Sequence, residues 1–500
     1  MSTTHHEGNG FEDELRESLR RAPWIALSAA AHAAAIVVLM QFEYHVPIEE
    51  APQVIHCERP IESVELLVPE PPPPEPPEPQ LVDVREEPID DPTVATVESP
   101  FVSDALVPSE LLTPVAAAFE GRSINDVIGT GGGAGGPHDG GGGPRIGRGG
   151  PRAVETTIKS GLQWLRRHQD PSGAWDSDGF GSRCRDNLCD GKGAALNDVG
   201  CTGLALLAFL GMGATPERGH DREVVRNGVR WLVAAQDRDD GCLGAKGGQH
   251  FLYGHAIGTL ALVEAWHSSR MPALKGPAQQ ALDFISRSRN PYAAWRYAVP
   301  PDGDNDVSVT GWMLFALYAG REAGLTVDDG ALRDGLAYVR SMTDPATGRT
   351  GYHEKGSFSA READAMERWP AEQSEAMTAC ALLLDSFDGV DPASAAQKSR
   401  VDLLLARRPA WDEARGSIDF YYWYYGTYAM WQVGGDAWKR WEHGLGDTLL
   451  AHQRQDGDET GSWDPQVDPW GRQGGRIYST AMNVLCLEVF YRYAKLFGTR

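Results

Sequence analysis

A degenerate helix–turn–helix repeat runs through residues 151–500 and constrains the fold more than any other feature of this chain. Each copy begins with an amphipathic helix, continues into a polar turn rich in Asp and Gly, and usually closes on an aromatic residue. The clearest copies read GLQWLRRHQDPSGAW from Gly161, GVRWLVAAQDRDDGCLG from Gly228 and GLGDTLLAHQRQDGDETGSW from Gly444. A repeat of this kind cannot bury its apolar face alone, so neighbouring copies must pack against one another.

A second helix follows each polar turn, and several of these helices are apolar on nearly every face. They begin near Asp198, Tyr253, Asp306, Ser374, Tyr424 and Tyr478. Helices that are apolar all round lie buried within a larger assembly, and these are too short and too interrupted to span a membrane. Six outer and six inner helices predict an all-α fold, an (α/α)6 toroid.

The turn sequences QDPSGAW and GDETGSW resemble the QW motifs of the squalene cyclase and protein prenyltransferase superfamily. The resemblance covers the whole of residues 151–500 and implies a terpenoid cyclase-like toroid, in which the Gln and Trp side chains join neighbouring repeats. We therefore assign one set of residues to structure and not to chemistry: Gln169, Trp175, Gln236, Trp295, Gln453 and Trp463.

Catalytic candidates lie where the inner helices begin. Parallel inner helices gather their N-termini at one mouth of the toroid, where the helix dipoles favour carboxylates. The sequence DNDVSV resembles the acid motif Asp-x-Asp-Asp-Thr-Ala of triterpene cyclases, and it aligns Asp306 with the protonating carboxyl and places Asp304 beside it. Val307 replaces the next Asp of the motif, which weakens the environment that such an acid needs. Isoprenoid cyclisation or transfer is therefore the alternative function.

Glycan cleavage is a third hypothesis. Glycan hydrolases and lyases with α/α toroids need paired carboxylates across a cleft. Asp306 and Glu375 could form such a pair, because they lie on neighbouring inner helices. The sequence does not give their separation.

Binding of a lipid, peptide or glycan in the toroid is the leading hypothesis. The run DFYYWYYGTYAMW from Asp419 brings many aromatic side chains to the fifth inner helix, and aromatic cavities suit isoprenoids through their π faces and apolar surface. Core packing is the alternative explanation for these rings. The predicted pocket residues are His255, Ser308, Tyr422, Trp423, Tyr425 and Tyr478.

Zinc is the only cofactor that the sequence suggests, and it suggests it weakly. Protein prenyltransferases hold zinc with Asp-x-Cys and a distant His, and Asp240, Cys242 and His255 supply those ligand types. The His follows the Cys too closely for that family, and Ser479 stands where the family's His ligand would be expected. Cys184 and Cys189 share a polar loop and could pair in an oxidising compartment.

A membrane anchor is predicted at residues 24–42. The segment has no formal charge and is long enough to cross roughly 28 Å as a helix. Arg16, Arg20 and Arg21 precede it and Glu43 follows, so residues 1–23 are expected in the cytoplasm and the rest is exported across the inner membrane. A cleaved signal peptide is the alternative, although the bulky QFEYHVP sequence after Met40 does not resemble a cleavage site.

Residues 43–150 are predicted to be a disordered linker. PEPPPPEPPEPQ from Pro69 favours stiff polyproline II, whereas the Gly-rich stretch from Gly129 to Gly150 is typical of a flexible hinge. The net charge of −24 and the absence of a long basic stripe argue against nucleic acid as a partner.

The anchor and the Pro-Glu linker together resemble the N-terminal half of TonB-type energy transducers. That family has a Ser-x3-His motif in its only transmembrane helix, and Ser28 and His32 match it. Four residues apart, the two side chains lie on one helix face. The resemblance implies contact with ExbB/ExbD-type proton-channel subunits. An incidental histidine in the span is the alternative, and no TonB-like C-terminal domain follows.

Overall fold

The structure is a computed structural model, and it describes residues 152–492 apart from 186–188, 249 and 292, together with His32. Twelve α-helices dominate the described residues. The outer helices are α1 Arg152–Arg167, α3 Arg222–Ala234, α5 Pro272–Arg287, α7 Asp329–Ser341, α9 Lys398–Ala406 and α11 Gly435–His452. The inner helices are α2 Asp198–Gly211, α4 Phe251–Ser269, α6 Val307–Glu322, α8 Ala376–Phe387, α10 Phe420–Val433 and α12 Gly471–Arg492.

The inner helices form a closed ring. Each inner helix packs against the next one along the chain, and α12 packs against α2 to complete the circle. The first five outer helices each pack against the inner helices on either side, and α11 packs against the inner helix α10 and the outer helices α9 and α1. The predicted all-α toroid of six helix pairs is thereby confirmed for the described residues.

Glycines let the inner helices approach one another closely, as their sequences suggest. A Cβ atom added at Gly203 of α2 would lie 3.0 Å from the backbone nitrogen of Gly258 in α4. One added at Gly311 of α6 would lie 2.5 Å from the Cys380 Sγ atom of α8. Larger residues at these two positions would therefore push neighbouring inner helices apart.

The glutamines of the polar turns join neighbouring repeats, as the resemblance implied. Each Nε2 atom donates to a carbonyl in its own turn and to a second carbonyl in an adjacent outer helix. The second bonds run from Gln169 to Val224 in α3, from Gln236 to Pro277 in α5 and from Gln453 to Thr157 in α1. The last of these closes the outer ring, because it connects the final repeat to the first.

The tryptophans of the turns fold back onto their own outer helices. The indole nitrogens of Trp175, Trp295 and Trp463 donate to carbonyl oxygens near the ends of α1, α5 and α11, at 2.8, 2.8 and 3.0 Å. All three rings are fully buried. Their assignment to structure is confirmed.

Aspartates set where two inner helices begin. Asp306 caps α6 and Asp419 caps α10, each through a carboxylate oxygen that accepts a backbone N–H. The cap at Asp419 starts α10 at Phe420, one turn before the expected start at Tyr424. In α12, Gly475 has a φ of +63°, so the continuous inner part of that helix begins at Arg476.

The predicted anchor and linker lie outside the described residues, with one exception. His32 is helical and exposed, and Ser28 is not described. None of the helices described in residues 152–492 has the length and hydropathy that a bilayer crossing requires.

Candidate functional site

A cavity opens at the mouth where the inner helices begin. Its empty volume is about 990 Å³, including the part open to solvent. Residues from the first turns of the inner helices line it together with the loops before α6, α8 and α12. The side chains that give it its character are Leu204, His250, Tyr253, Ile257, Tyr297, Ser308, Trp312, Tyr352, Arg361, Met377, Tyr421, Trp470, Tyr478 and Met482.

The lining is aromatic and apolar, and its charge is balanced behind the wall. No Asp or Glu is among the described residues that line the cavity. Arg361 is the only Lys or Arg among them, and its Nη2 atom lies 2.7 Å from a carboxylate oxygen of buried Asp419. The Arg361 guanidinium also lies over the Trp470 ring, 5.8 Å from its centre.

Asp306 is buried immediately behind two tyrosines of the cavity wall. Its Oδ1 atom accepts the Val309 N–H at 2.8 Å, and its Oδ2 atom accepts the Tyr352 hydroxyl at 3.3 Å. The Tyr352 hydroxyl is also hydrogen-bonded to that of Tyr297. Burial raises the pKa of Asp306 to about 7, although the Val309 N–H and Arg296 oppose the shift. A buried acid is thus connected to the cavity through phenol groups.

Asp304, the other predicted acid, lies at the surface. Its side chain is 69% exposed and forms an ion pair with Arg296 at 3.0 Å. It does not line the cavity. The backbone bends at Gly303, whose φ is +94°, and of the two aspartates only Asp306 is buried. Asp304 is therefore corrected from catalytic candidate to surface residue.

Glu375 is buried but faces away from the cavity. Its carboxylate accepts from the Arg349 guanidinium at 2.8 Å and from the Thr378 hydroxyl at 2.9 Å. It is not among the lining residues. The proposed pair of Asp306 and Glu375 therefore does not face a common cleft, because Arg349 neutralises one carboxylate within the wall.

Two of the six predicted pocket residues line the cavity, and four do not. Ser308 and Tyr478 line it. Tyr422 and Trp423 face the outer side of the ring, where the Tyr422 hydroxyl donates to the Leu404 carbonyl and Trp423 packs against Trp411. Tyr425 is buried against Trp312 and Phe315 of α6. Tyr421 is the residue of that run which reaches the cavity, where its hydroxyl lies 2.6 Å from that of Ser308.

The three residues predicted as zinc ligands are not brought together. His255 is fully buried, and its Nδ1 and Nε2 atoms are bound to the Leu243 N–H and the Ala281 carbonyl. Both ring nitrogens are thus unavailable to a metal, and the ring lies outside the cavity wall. Asp240 pairs with Lys246 at the surface, and Cys242 is buried.

Sequence reasoning missed most of the cavity's aromatic residues. Tyr297 and Tyr352 lie in loops whose paths no periodicity indicates, and Trp470 follows a short 3-10 turn. Tyr253 and Trp312 could have been predicted as lining residues from the sequence, because both lie in the first two turns of inner helices.

No protein-family model and no curated protein sequence matches the chain. Solved structures are similar at low identity. The type II terpene cyclase MstE from Scytonema aligns over 67% of this chain and 97% of its own, with 14% identity and a TM-score of 0.45. An α-1,6-mannanase from Salegentibacter aligns over 68% and 99%, with 11% identity and a TM-score of 0.45. An α-amylase from Clostridium perfringens aligns over 68% of this chain and 99% of its own, with 10% identity and a TM-score of 0.45.

Proposed function

We propose that the toroid binds an apolar, unsaturated ligand, an isoprenoid or lipid chain, in the cavity at its mouth. The observation that supports this most is the aromatic and apolar lining, without a carboxylate among its described residues. Ring faces such as those of Trp312, Tyr421 and Trp470 favour contact with alkenes and apolar chains. Because Asp419 neutralises Arg361, the wall presents little net charge to the ligand.

One polar group of the ligand has a suitable partner at Tyr478. The Tyr478 side chain lines the cavity, and its hydroxyl is buried with no hydrogen-bond partner among the described residues. A buried hydroxyl without a partner costs about 1–3 kcal/mol. A ligand with a single terminal hydroxyl, such as a polyprenyl alcohol, would satisfy it.

Cleavage of glycans has less support. Such enzymes need two carboxylates facing one cleft, whereas Glu375 is held by Arg349 and Asp304 lies at the surface. Asp306 alone stands close to the cavity, behind Tyr352.

Ligand binding can be tested by titrating the full-length chain with geranylgeraniol, a saturated alcohol of equal length and a mannose oligosaccharide, with tryptophan fluorescence as the readout. We expect geranylgeraniol to bind most tightly. Trp470→Leu should weaken its binding about tenfold, because a ring face is lost from the wall. Trp431→Leu is the matched control, since Trp431 is also half-buried but does not line the cavity. Preference for the oligosaccharide, or equal effects of the two variants, would contradict the proposal.

Acid-initiated cyclisation is a second candidate, favoured by the raised pKa of Asp306. The protonated carboxyl would pass its proton through the Tyr352 hydroxyl to an alkene in the cavity, leaving a carboxylate and a carbocation among the aromatic rings. Ring closure followed by loss of a proton to the carboxylate would regenerate the acid. The step is thus balanced without a cofactor.

Asp306→Asn separates the two candidates. Asparagine can accept the Val309 N–H and keep the cap, but it cannot supply the proton. For a cyclase, incubation of geranylgeraniol with the unmodified chain should give a cyclic product by mass spectrometry, and the variant should bind the alcohol without converting it. Binding without conversion in both proteins would support a binding function alone.

For the N-terminal region, we propose a single-pass anchor at residues 24–42 in the inner membrane, with residues 1–23 in the cytoplasm and the toroid in the periplasm. Residues 43–150 would form the spacer between them. The uncharged span between Arg21 and Glu43, the Ser28 and His32 pair and the Pro-Glu linker support coupling to ExbB/ExbD-like subunits.

Copurification of the tagged full-length chain with an ExbB-like channel tests the coupling. His32→Ala should reduce the recovered channel at least tenfold. Ala34→Ser is the matched control, because residue 34 lies about 200° around the helix from residue 32, and it should leave recovery unchanged. Unchanged recovery with His32→Ala would refute the coupling.

A further inference from the structure

One imidazole and two thiols meet in the polar turn that follows α1. The Sγ atoms of Cys184 and Cys189 are 3.1 Å apart, and each lies 3.5 Å from the Nε2 atom of His168. His168 and Cys189 are buried, and Cys184 is half-buried. Neither the cavity nor the proposed ligand-binding function involves these residues. The cluster therefore needs an explanation of its own.

The orientation of His168 suits a metal ligand. Its Nδ1 atom lies 2.8 Å from the Trp164 carbonyl oxygen, which can only accept, so Nδ1 carries the proton and the Nε2 lone pair faces the two sulfurs. The ring is stacked on Trp164 with the ring centres 4.1 Å apart. Metal-binding histidines typically donate their other N–H to a carbonyl in this way.

We propose that His168, Cys184 and Cys189 bind one Zn²⁺ ion. Zinc binds nitrogen and sulfur ligands in tetrahedral geometry, with bond lengths of about 2.0–2.1 Å and 2.3 Å. In that geometry the nitrogen-to-sulfur distance is close to the 3.5 Å that separates His168 Nε2 from each Sγ atom. The two sulfurs must move apart by about 0.7 Å to reach the corresponding tetrahedral edge. The fourth position is left to water or another ligand.

The site would fix the place where the inner ring closes. Asp190 follows Cys189 directly, and its carboxylate forms an ion pair with Arg476, the first residue of the continuous inner part of α12. The Gly191 carbonyl accepts the Arg476 N–H at 2.8 Å. A metal that holds Cys189 against the end of α1 would therefore also hold the start of α12.

The chain offers a matched control in its second Cys and His pair. Cys242 and His255 also lie close in sequence, but backbone groups occupy both ring nitrogens of His255. We expect the full-length chain, purified in reductant without chelators, to contain one zinc per chain by elemental mass spectrometry. Cys184→Ser and His168→Gln should each lower that content at least tenfold, whereas Cys242→Ser should retain it. Circular dichroism verifies that each variant is folded.

Cobalt substitution gives a second measurement. The unmodified chain should show a sulfur-to-cobalt charge-transfer band that is absent from Cys184→Ser. Zinc content that is insensitive to Cys184→Ser and His168→Gln would overturn the proposal, as would loss of zinc in Cys242→Ser alone. A metal-free protein that fails to bind added zinc, with a Cys184–Cys189 disulfide or with free thiols by peptide mass spectrometry, would also overturn it.

Discussion

The starts of α6 and α10 are alike in local geometry but differ in charge. Asp306 caps the first helix and Asp419 the second, and each carboxylate accepts the N–H three residues further on, at 2.8 and 2.9 Å. Both side chains are sealed from solvent. The backbone around each aspartate therefore supplies the same partner.

The difference lies in the nearest cation. Asp419 has the buried Arg361 guanidinium at 2.7 Å, whereas the closest cationic nitrogen to Asp306 belongs to half-buried Arg296 at 3.7 Å. Burial without a close counter-ion raises the pKa of Asp306 to about 7. The same type of cap is thus part of a buried ion pair at α10, whereas at α6 it is a carboxyl group beside the cavity that binds a proton more readily than usual.

A second carboxylate sharpens the contrast at α10. Asp468 accepts the Phe420 and Trp470 N–H groups, and burial, followed by the charge of nearby Asp419, raises its pKa well above the usual range. One guanidinium therefore lies near two buried carboxyl groups. Arg361 is central to this arrangement.

The largest effect is expected from Arg361→Met. It leaves Asp419 buried without its cation, and breaking a buried pair in this way costs about 3–5 kcal/mol. We expect the free energy of unfolding in urea to fall by that amount. Adding Asp419→Asn should recover most of the loss, because asparagine keeps the cap without the charge.

Arg472→Met is the surface control for that variant. Arg472 pairs with Asp364, and both side chains are about half exposed or more. Exposed pairs contribute ~0–1 kcal/mol, so this change should be nearly neutral. If Arg361→Met lowers the free energy of unfolding no more than Arg472→Met does, the buried ion pair at α10 does not stabilise the fold as its geometry indicates.

An intermediate effect is expected from pH at Asp306. Between its ordinary pKa of 3.8 and the folded value of about 7, the folded chain binds a proton that the unfolded chain has lost. The stabilisation is therefore complete at low pH and is lost as pH rises through this window, at up to ~1.4 kcal/mol per pH unit.

The measurement is the free energy of unfolding of the unmodified chain minus that of Asp306→Asn, at pH 4, 5, 6 and 7. The subtraction cancels the titration of other groups. We expect this difference to fall as pH rises. A flat difference would show that Asp306 ionises normally despite its burial.

The sequence predicts the fold far better than it predicts the site, and the reason is visible at α10. Repeats and apolar helices specify the toroid whichever residue begins each helix. Which ring of DFYYWYYGTYAMW reaches the cavity depends on the side of α10 on which it lies, and a run with aromatic residues on every side of the helix gives no periodicity that distinguishes them. Tyr421 therefore replaces the predicted Tyr422, Trp423 and Tyr425 in the lining.

Loop residues were harder still to foresee. Asp306 could be found because a capping residue before an apolar helix is a local signal. Tyr352 and Arg361, which distinguish the two caps, both come from the long segment between α7 and α8. Its path depends on tertiary contacts such as the Arg361 ion pair with Asp419, which no local pattern encodes. The same applies to His168, whose distance in sequence from Cys184 hid the cluster.

The smallest effect is expected from Tyr352→Phe, which tests whether the phenol is coupled to Asp306. Loss of its hydrogen bond should cost about 1 kcal/mol. The hydroxyl stabilises the carboxylate, so its removal should raise the pKa of Asp306 further. The measurement is the free energy of unfolding of Tyr352→Phe minus that of Tyr352→Phe/Asp306→Asn at each pH. We expect this difference to fall at a higher pH than it does in the chain that retains Tyr352.

Tyr338→Phe distinguishes this coupling from the loss of any nearby hydroxyl. The Tyr338 hydroxyl donates to the Asn305 carbonyl at 2.9 Å, next to Asp306 in sequence, but does not bond to its carboxylate. Its removal should cost a similar free energy and leave the pH window unmoved. Equal shifts in the two variants would mean that Asp306 responds to general loosening of the loop. A shift with Tyr352→Phe alone would make the phenol the connection between the buried acid and the cavity.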